Sequence, residues 1–70
     1  MNMKILLADI RKGKMVTLTK LENTTGISKA TLQRIEVGSV SPSMINMEKI
    51  AKALNVGIID LFESKYKYSK

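Results

Sequence analysis

The stretch from Thr17 to Gly38 reads TLTKLENTTGISKATLQRIEVG. It predicts two helices of about eight residues each, joined by a tight turn at Gly26. A residue at such a turn takes a positive φ, which glycine adopts without the steric penalty that a β-carbon brings. Apolar residues stand on either side of the turn at helical spacing, namely Leu21, Ile27, Leu32 and Ile35. We therefore expect the two helices to pack together through their inner faces.

The opposite face of the second helix carries side chains suited to contact with nucleic-acid bases. Arg and Lys donate hydrogen bonds to guanine O6 and N7, Gln pairs with adenine N6 and N7, and an alanine or threonine methyl group contacts a thymine methyl group. The candidate base-contacting residues on this face are Lys29, Ala30, Thr31, Gln33 and Arg34. The alternative interpretation is that Lys29 and Arg34 are ordinary solvated surface charges.

The remainder of the chain predicts three further short helices. A first helix is expected over residues 3–12, and a fourth begins after Ser43 with an apolar stripe of Met44, Met47, Ile50, Ala51 and Leu54. A fifth turn or short helix runs from Ile58 to about residue 63. Thr17 and Ser28 are the predicted N-caps of the second and third helices. No segment alternates strictly enough to predict a strand, so the expected fold class is all-α.

The composition excludes several function classes. The chain has 70 residues, sufficient for one small domain, and contains neither cysteine nor histidine. Disulfides, thiol chemistry, zinc-finger sites and imidazole acid–base catalysis are thereby excluded. We expect no enzyme activity, no catalytic residue, no metal site and no cofactor. The longest apolar run, residues 5–8, is far shorter than the roughly 20 residues that span a bilayer, so we expect a cytoplasmic protein.

The positive charge is concentrated around the two predicted helices. The chain carries 12 Lys and Arg against 6 Asp and Glu. Residues 1–36 hold seven of these basic residues and three of the acidic ones, whereas residues 37–63 hold two and three. Residues 64–70 add three lysines in a tail that we expect to be frayed. This distribution indicates a polyanionic partner.

Three phrases of the sequence together resemble the Cro/C1-type (XRE) helix-turn-helix family: GISKATLQRIEVG, the SPS turn at residues 41–43, and MEKIAKALNV followed by IIDLF. The resemblance covers residues 7–62 and assigns residues 1–63 to one domain. It implies a five-helix, lambda-repressor-like fold whose third helix, residues 28–36, lies in the major groove of double-stranded DNA. The implied function is a sequence-specific transcriptional regulator that acts as a homodimer, formed in solution or only on DNA. Repression by occlusion of a promoter is the simpler mechanism for so small a protein. Its length leaves no room for a sensing domain, so we expect no small-molecule effector.

The resemblance also implies roles for individual residues. An internal ion pair joins Arg11 to Glu36, and dimers of the family meet around the start of the fifth helix. We therefore expect a small dimer contact of Ile59 and Ile58, together with Val40, Ile45 or Phe62. The alternative is that these are scattered surface apolar residues, which are normal. DNA phosphates are expected to contact Thr17, Lys20, Ser28, Ser39 and Ser41. The core positions are Leu7, Ile10, Leu21, Ile27, Leu32, Ile35, Met47, Ile50, Leu54, Val56 and Leu61.

Three features depart from the family pattern. Leu18 stands where the family often has a glutamine that contacts phosphate. Glu22 stands where the two helices approach closely and alanine is usual, so we expect its carboxylate to turn toward Lys20 or Arg34, or the helices to cross at a wider distance. The turn over residues 39–43 has no lysine or arginine with which to hold the DNA backbone.

Two alternatives to a specific regulator remain open from the sequence. One is an antitoxin-type module that grips a partner protein through Val40, Ile45 and Ile59 and regulates its own gene. The other is a general nucleoid-type protein that binds DNA without sequence preference.

Overall fold

Residues 4–64 form four α-helices, one short 3-10 helix and two very short strands. The structure is a computed structural model, which describes residues 4–64. The elements are β1 (Lys4–Ile5), α1 (Leu7–Gly13), α2 (Leu18–Thr25), α3 (Lys29–Val37), α4 (Met44–Leu54), the 3-10 helix (Ile58–Leu61) and β2 (Phe62–Glu63). The predicted all-α fold with five helical segments is confirmed. Most of the tail predicted over residues 64–70 lies outside the described residues.

Side-chain caps begin three of the helices at the expected places. The hydroxyl oxygens of Thr17, Ser28 and Ser43 each accept a hydrogen bond from the backbone N–H three residues later, at 3.1, 3.2 and 3.0 Å. These bonds satisfy N–H groups that have no partner within the helix. Gly26 and Gly38 end α2 and α3 with φ of 78° and 83°. The positive φ predicted at the turn between the two helices is therefore present.

The first helix begins later than the sequence pattern predicts. Residues 4 and 5 form β1, which pairs antiparallel with β2 so that Lys4 lies opposite Glu63 and Ile5 opposite Phe62. The Leu6 N–H donates to the Leu61 carbonyl at 2.8 Å. The returning end of the chain thus uses backbone groups that a longer helix would need, and α1 begins at Leu7. No strand was predicted here, because two residues are too few to produce an alternating pattern.

The core lies where α2 packs against α3 and α4, and where α4 meets the 3-10 helix. Leu32 of α3 is completely buried. The predicted core positions are buried, except for Ile10 and Val56, which are half-buried and pack against the others. Buried side chains are Leu7, Leu21, Ile27, Leu32, Ile35, Met47, Ile50, Ala51, Leu54 and Leu61.

Met44 is the exception to the predicted apolar stripe on α4. Its side chain is 69% exposed, although its spacing from Met47 and Ile50 predicts a core position. Met44 is the first residue of α4, directly after the Ser43 cap. Among residues 4–64 no other element covers the stripe at this end of the helix, so Met44 lines an open groove instead of the core.

Candidate nucleic-acid interface

The third helix has two chemically different faces. Leu32 and Ile35 point into the core, with exposures of 0% and 1%. Four of the five residues predicted to contact bases are exposed on the other side, namely Lys29, Ala30, Gln33 and Arg34. The structure therefore places a row of hydrogen-bonding side chains, together with one methyl group, along the outside of α3.

Thr31 differs from the other predicted base contacts. It is half-buried, and its hydroxyl accepts a hydrogen bond from Ser28 Oγ at 2.9 Å. The Thr31 N–H donates to the same Ser28 oxygen at 3.2 Å. Thr31 is thus engaged in capping α3, and its side chain is less available than those of Gln33 and Arg34.

The residues predicted to contact phosphate are all on the surface. Thr17, Lys20, Ser28, Ser39 and Ser41 are exposed. The hydroxyl groups of Thr17 and Ser28 already cap α2 and α3, and Ser39 Oγ donates to the Arg34 carbonyl at 3.3 Å. Lys20 is the one cation in this set. Leu18, by contrast, is half-buried against the core and presents no polar side-chain atom at the start of α2.

Glu22 does not turn to either of the charged side chains named from the sequence, Lys20 and Arg34. Its Oε2 accepts a hydrogen bond from the backbone N–H of Lys29 at 2.8 Å. No ion pair links Glu22 to Lys20 or Arg34 in residues 4–64. The carboxylate thus lies at the beginning of α3, where the partial positive charge of the helix end favours an anion.

The other acidic residue near this face is neutralised within the protein. Glu36 receives two hydrogen bonds from the Arg11 guanidinium, one from Nε at 2.6 Å and one from Nη2 at 3.2 Å. Arg11 Nη1 also donates to the Val16 carbonyl at 2.9 Å. This pair fixes α1 and the segment before α2 to α3, and it removes Arg11 and Glu36 from the set of free surface charges.

Comparison with known families matches this arrangement to one of them. The family model of helix-turn-helix proteins HTH_3 covers residues 7–61. The chain belongs to the Cro/C1-type helix-turn-helix family. The matched region begins with the first residue of α1 and ends with the last residue of the 3-10 helix. A search of curated proteins finds no match for the chain. The DNA-binding character of this family agrees with the exposed polar face of α3.

A second surface of this helix-turn-helix protein is an apolar groove of about 820 Å³. It lies between the end of α3, the turn before α4, the 3-10 helix and the strand pair, and we call it the apolar groove. The predicted dimer residues Ile58, Ile59 and Phe62 all line it. Ile58 and Phe62 are half-buried against the core, whereas Ile59 is 40% exposed.

Sequence reasoning missed two members of the apolar groove. Val37, at the last turn of α3, is 73% exposed, and Met44 was expected in the core. The signal for Val37 was its position two residues after Ile35, which turns it away from the buried face of the helix. Val40 also lines the apolar groove, but Ile45 does not.

Within residues 4–64, no cluster of carboxylate residues has an arrangement that could hold a metal ion. None of the helices over the same residues combines the length and apolarity needed to cross a membrane.

Proposed function

We propose that the chain is a sequence-specific regulator that reads double-stranded DNA with α3 and represses transcription by occupying a promoter. The observation that carries this proposal is the division of α3 into a buried apolar face and an exposed face of base-reading side chains. The major groove admits an α-helix, and its base edges present a distinct pattern of donors, acceptors and methyl groups for every base pair.

Each exposed side chain of α3 has a definite role in this proposal. Lys29 and Arg34 donate to guanine, and the Gln33 amide pairs with adenine. Ala30 contacts a thymine methyl group. Thr31 contributes its methyl group, since its hydroxyl is bonded to Ser28. Discrimination between base pairs therefore depends most on the three longer polar side chains, Lys29, Gln33 and Arg34.

Phosphate contacts on either side of α3 position the helix in the groove. Lys20 attracts phosphate as a point charge, while Thr17, Ser28, Ser39 and Ser41 supply hydroxyl and backbone groups. With Leu18 packed inward, the start of α2 offers backbone N–H groups to a phosphate, without a side-chain donor from residue 18. This set has few charges, so sequence-independent affinity at physiological salt is expected to be modest.

The regulator acts as a homodimer. One helix of the length of α3 reads only a few base pairs, and a two-fold dimer places two such helices in successive major grooves about 34 Å apart. We assign the dimer contact to the apolar groove, with Ile58, Ile59 and Phe62 at its centre and Val40 beside them. Protein concentration and promoter occupancy then control repression, without a small-molecule effector.

A second candidate function is supported by exposed apolar side chains, two of which, Val40 and Ile59, line the apolar groove. An antitoxin-type protein would use the exposed apolar residues Val40, Ile45 and Ile59 to hold a partner protein. Specific co-purification of the product of a neighbouring gene, lost in Ile59→Lys, would favour this function.

The proposed function is tested by the DNA preference of the purified chain. A duplex is selected by the protein from a random pool, and affinity for it is compared with affinity for a scrambled duplex at roughly 50 and 200 mM salt. We expect at least a hundredfold preference for the selected duplex, on the order expected of specific binders, and its loss in Arg34→Ala. Equal, salt-sensitive binding to both duplexes would contradict the proposal and favour a general DNA-binding protein.

A further inference from the structure

The hydrogen bond from Glu22 to the first residue of α3 connects the two helices of the motif directly. Glu22 lies on α2, seven residues before Lys29, and its carboxylate crosses the Gly26 turn to reach the Lys29 N–H at 2.8 Å. Lys29 is the first residue of α3, and Glu22 is half-buried where the two helices meet.

This bond differs from the other cap at the same helix start. Ser28 Oγ accepts from the Thr31 N–H, which is a local contact within the first turn. The Glu22 bond instead joins two different helices, so it ties the first residue of α3 to α2 in addition to the packing of the core. It is also charge-assisted, and bonds to an ionised acceptor are about twice as strong as neutral ones.

We propose that Glu22 is a positioning residue that determines DNA specificity by holding the backbone of Lys29. The inference rests on the proposed function, in which Lys29 is the leading base-reading residue of α3. Without the carboxylate, the first turn of α3 loses one of its anchors, and the Lys29 side chain starts from a less defined backbone position. Gln33 and Arg34 lie in the later turns of the helix and do not depend on this anchor.

The charge of Glu22 has a second consequence for DNA binding. A helix start attracts phosphate through its free N–H groups and its partial positive charge. At α3 the Glu22 carboxylate already takes the Lys29 N–H and brings a negative charge of its own. Glu22 therefore weakens sequence-independent attraction to phosphate while it organises the sequence-dependent contact. Its removal is expected to change the two affinities in opposite directions.

Two substitutions separate the hydrogen bond from the charge. Glu22→Ala removes both, whereas Glu22→Gln keeps an acceptor oxygen and removes only the charge. We expect Glu22→Ala to weaken binding to the selected duplex at least about fivefold, equivalent to part of one base contact. Glu22→Gln should bind that duplex at least as tightly as the wild-type chain. Both variants should bind the scrambled duplex about twofold to threefold more tightly at low salt.

Glu48→Gln is the matched control for the change of charge. Glu48 is exposed on α4, and no ion pair or side-chain hydrogen bond of Glu48 occurs in residues 4–64. We expect this variant to leave both affinities within about twofold of the wild-type values.

Base-by-base affinities distinguish positioning from a general loss of structure. Each base pair of the selected duplex is replaced in turn, and the loss of affinity is measured for each replacement. The base pairs read by Lys29 are those whose replacement weakens binding of the wild-type chain but not binding of Lys29→Ala. In Glu22→Ala the loss of affinity on replacing these base pairs should become smaller, while the loss on replacing the other base pairs should stay as in the wild-type chain. In the Lys29→Ala background, Glu22→Ala should weaken selected-duplex binding by less than twofold, because two residues that act through one contact are not additive.

The outcomes separate this inference from the function on which it rests. A wild-type chain without preference for any duplex would overturn both. If the wild-type chain is selective but Glu22→Ala loses as much affinity as the wild-type chain when the Lys29 base pairs are replaced, the positioning role alone would be overturned. If Glu22→Ala no longer discriminates at any base pair and Glu22→Gln is equally impaired, Glu22 would have a purely structural role. This result would also overturn the positioning role.

Discussion

Arg11 and Glu36 are separated by 25 residues in the chain and are joined by two parallel hydrogen bonds. Their side chains are only 11% and 9% exposed. The pair connects α1 to the last turns of α3, and the third guanidinium contact, to the Val16 carbonyl, includes the segment that leads into α2. The same pair balances the negative charge of the Glu36 carboxylate at the end of α3.

Arg11→Met is expected to destabilise the domain strongly. Glu36 would keep a mostly buried carboxylate without its partner, which costs about 3 kcal/mol. The matched control is Lys12→Met, which changes an exposed residue of the same helix and should stay within about 0.5 kcal/mol of wild type. Chemical denaturation measures both. Equal effects of the two substitutions would show that the ion pair contributes nothing specific.

Met15→Gly is expected to stabilise the domain. Met15 has φ of 58° and is 90% exposed, so glycine relieves backbone strain without loss of packing. The Met15 and Val16 N–H groups donate back to the Lys12 and Arg11 carbonyls, the pattern of a helix end that favours glycine at this position. We expect a gain of about 0.5–1 kcal/mol in the free energy of unfolding, or an increase of several degrees in Tm.

Gly38→Ala provides the reverse test of the same geometry. Gly38 ends α3 with φ of 83°, and a β-carbon added there meets no atom within 4 Å. Any loss of stability therefore comes from the backbone conformation and not from a clash. We expect a loss of about 1 kcal/mol. Thermal unfolding should show a higher Tm for Met15→Gly and a lower Tm for Gly38→Ala. Shifts of the same sign would contradict this account of the two helix ends.

Arg34→Ala and Lys20→Ala are expected to affect DNA binding in different ways. Loss of a base contact at Arg34 should weaken selected-duplex binding by about 1–3 kcal/mol and reduce discrimination at its base pair. Loss of a phosphate contact at Lys20 should weaken binding to all duplexes alike and lower the salt slope by about 1. Titrations at several salt concentrations measure both effects. The assignment of the two roles is wrong if the variants show the same pattern.

Ile59→Lys tests the proposed dimer contact. Ile59 lines the apolar groove and is 40% exposed, so a lysine there is expected to oppose a second copy while leaving the fold intact. Sedimentation of the chain with the selected duplex should show one copy bound where the wild-type chain binds two. Ile45→Lys is the control, because Ile45 is 67% exposed but outside the apolar groove. Two copies bound in both variants, with unchanged affinity, would exclude this interface.

Local sequence signals predicted the motif well because the physical causes are local. A hydroxyl at Thr17, Ser28 or Ser43 can reach an N–H group only three residues away, and such a bond needs no other part of the chain. Glycine at residue 26 likewise follows from the turn itself. The buried faces of α2 and α3 followed from helical spacing, because a helix repeats every 3.6 residues wherever it lies.

The candidate site was predictable only in its outline. The exposed row on α3 could be read from spacing, since it is the face opposite the apolar stripe. Thr31, however, uses its hydroxyl in the cap of its own helix, which spacing does not reveal. Glu22 was recognised as unusual in the sequence, yet its partner was predicted among charged side chains. The Lys29 N–H was missed because backbone donors are the same at every residue.

The order and type of the helices, their caps, their buried faces and the outward row of α3 follow from the amino-acid sequence, because each depends on neighbours within a few residues. The contacts between distant segments depend on how the helices cross. The return of residues 61–63 to residues 4–6 shortens α1. Met44, the first residue of α4, lies exposed in the apolar groove and not in the core. The crossing of α2 and α3 brings the Glu22 carboxylate to the start of α3, the helix proposed to read DNA. Distances of this kind are set by packing of the whole core, which no short stretch of sequence contains.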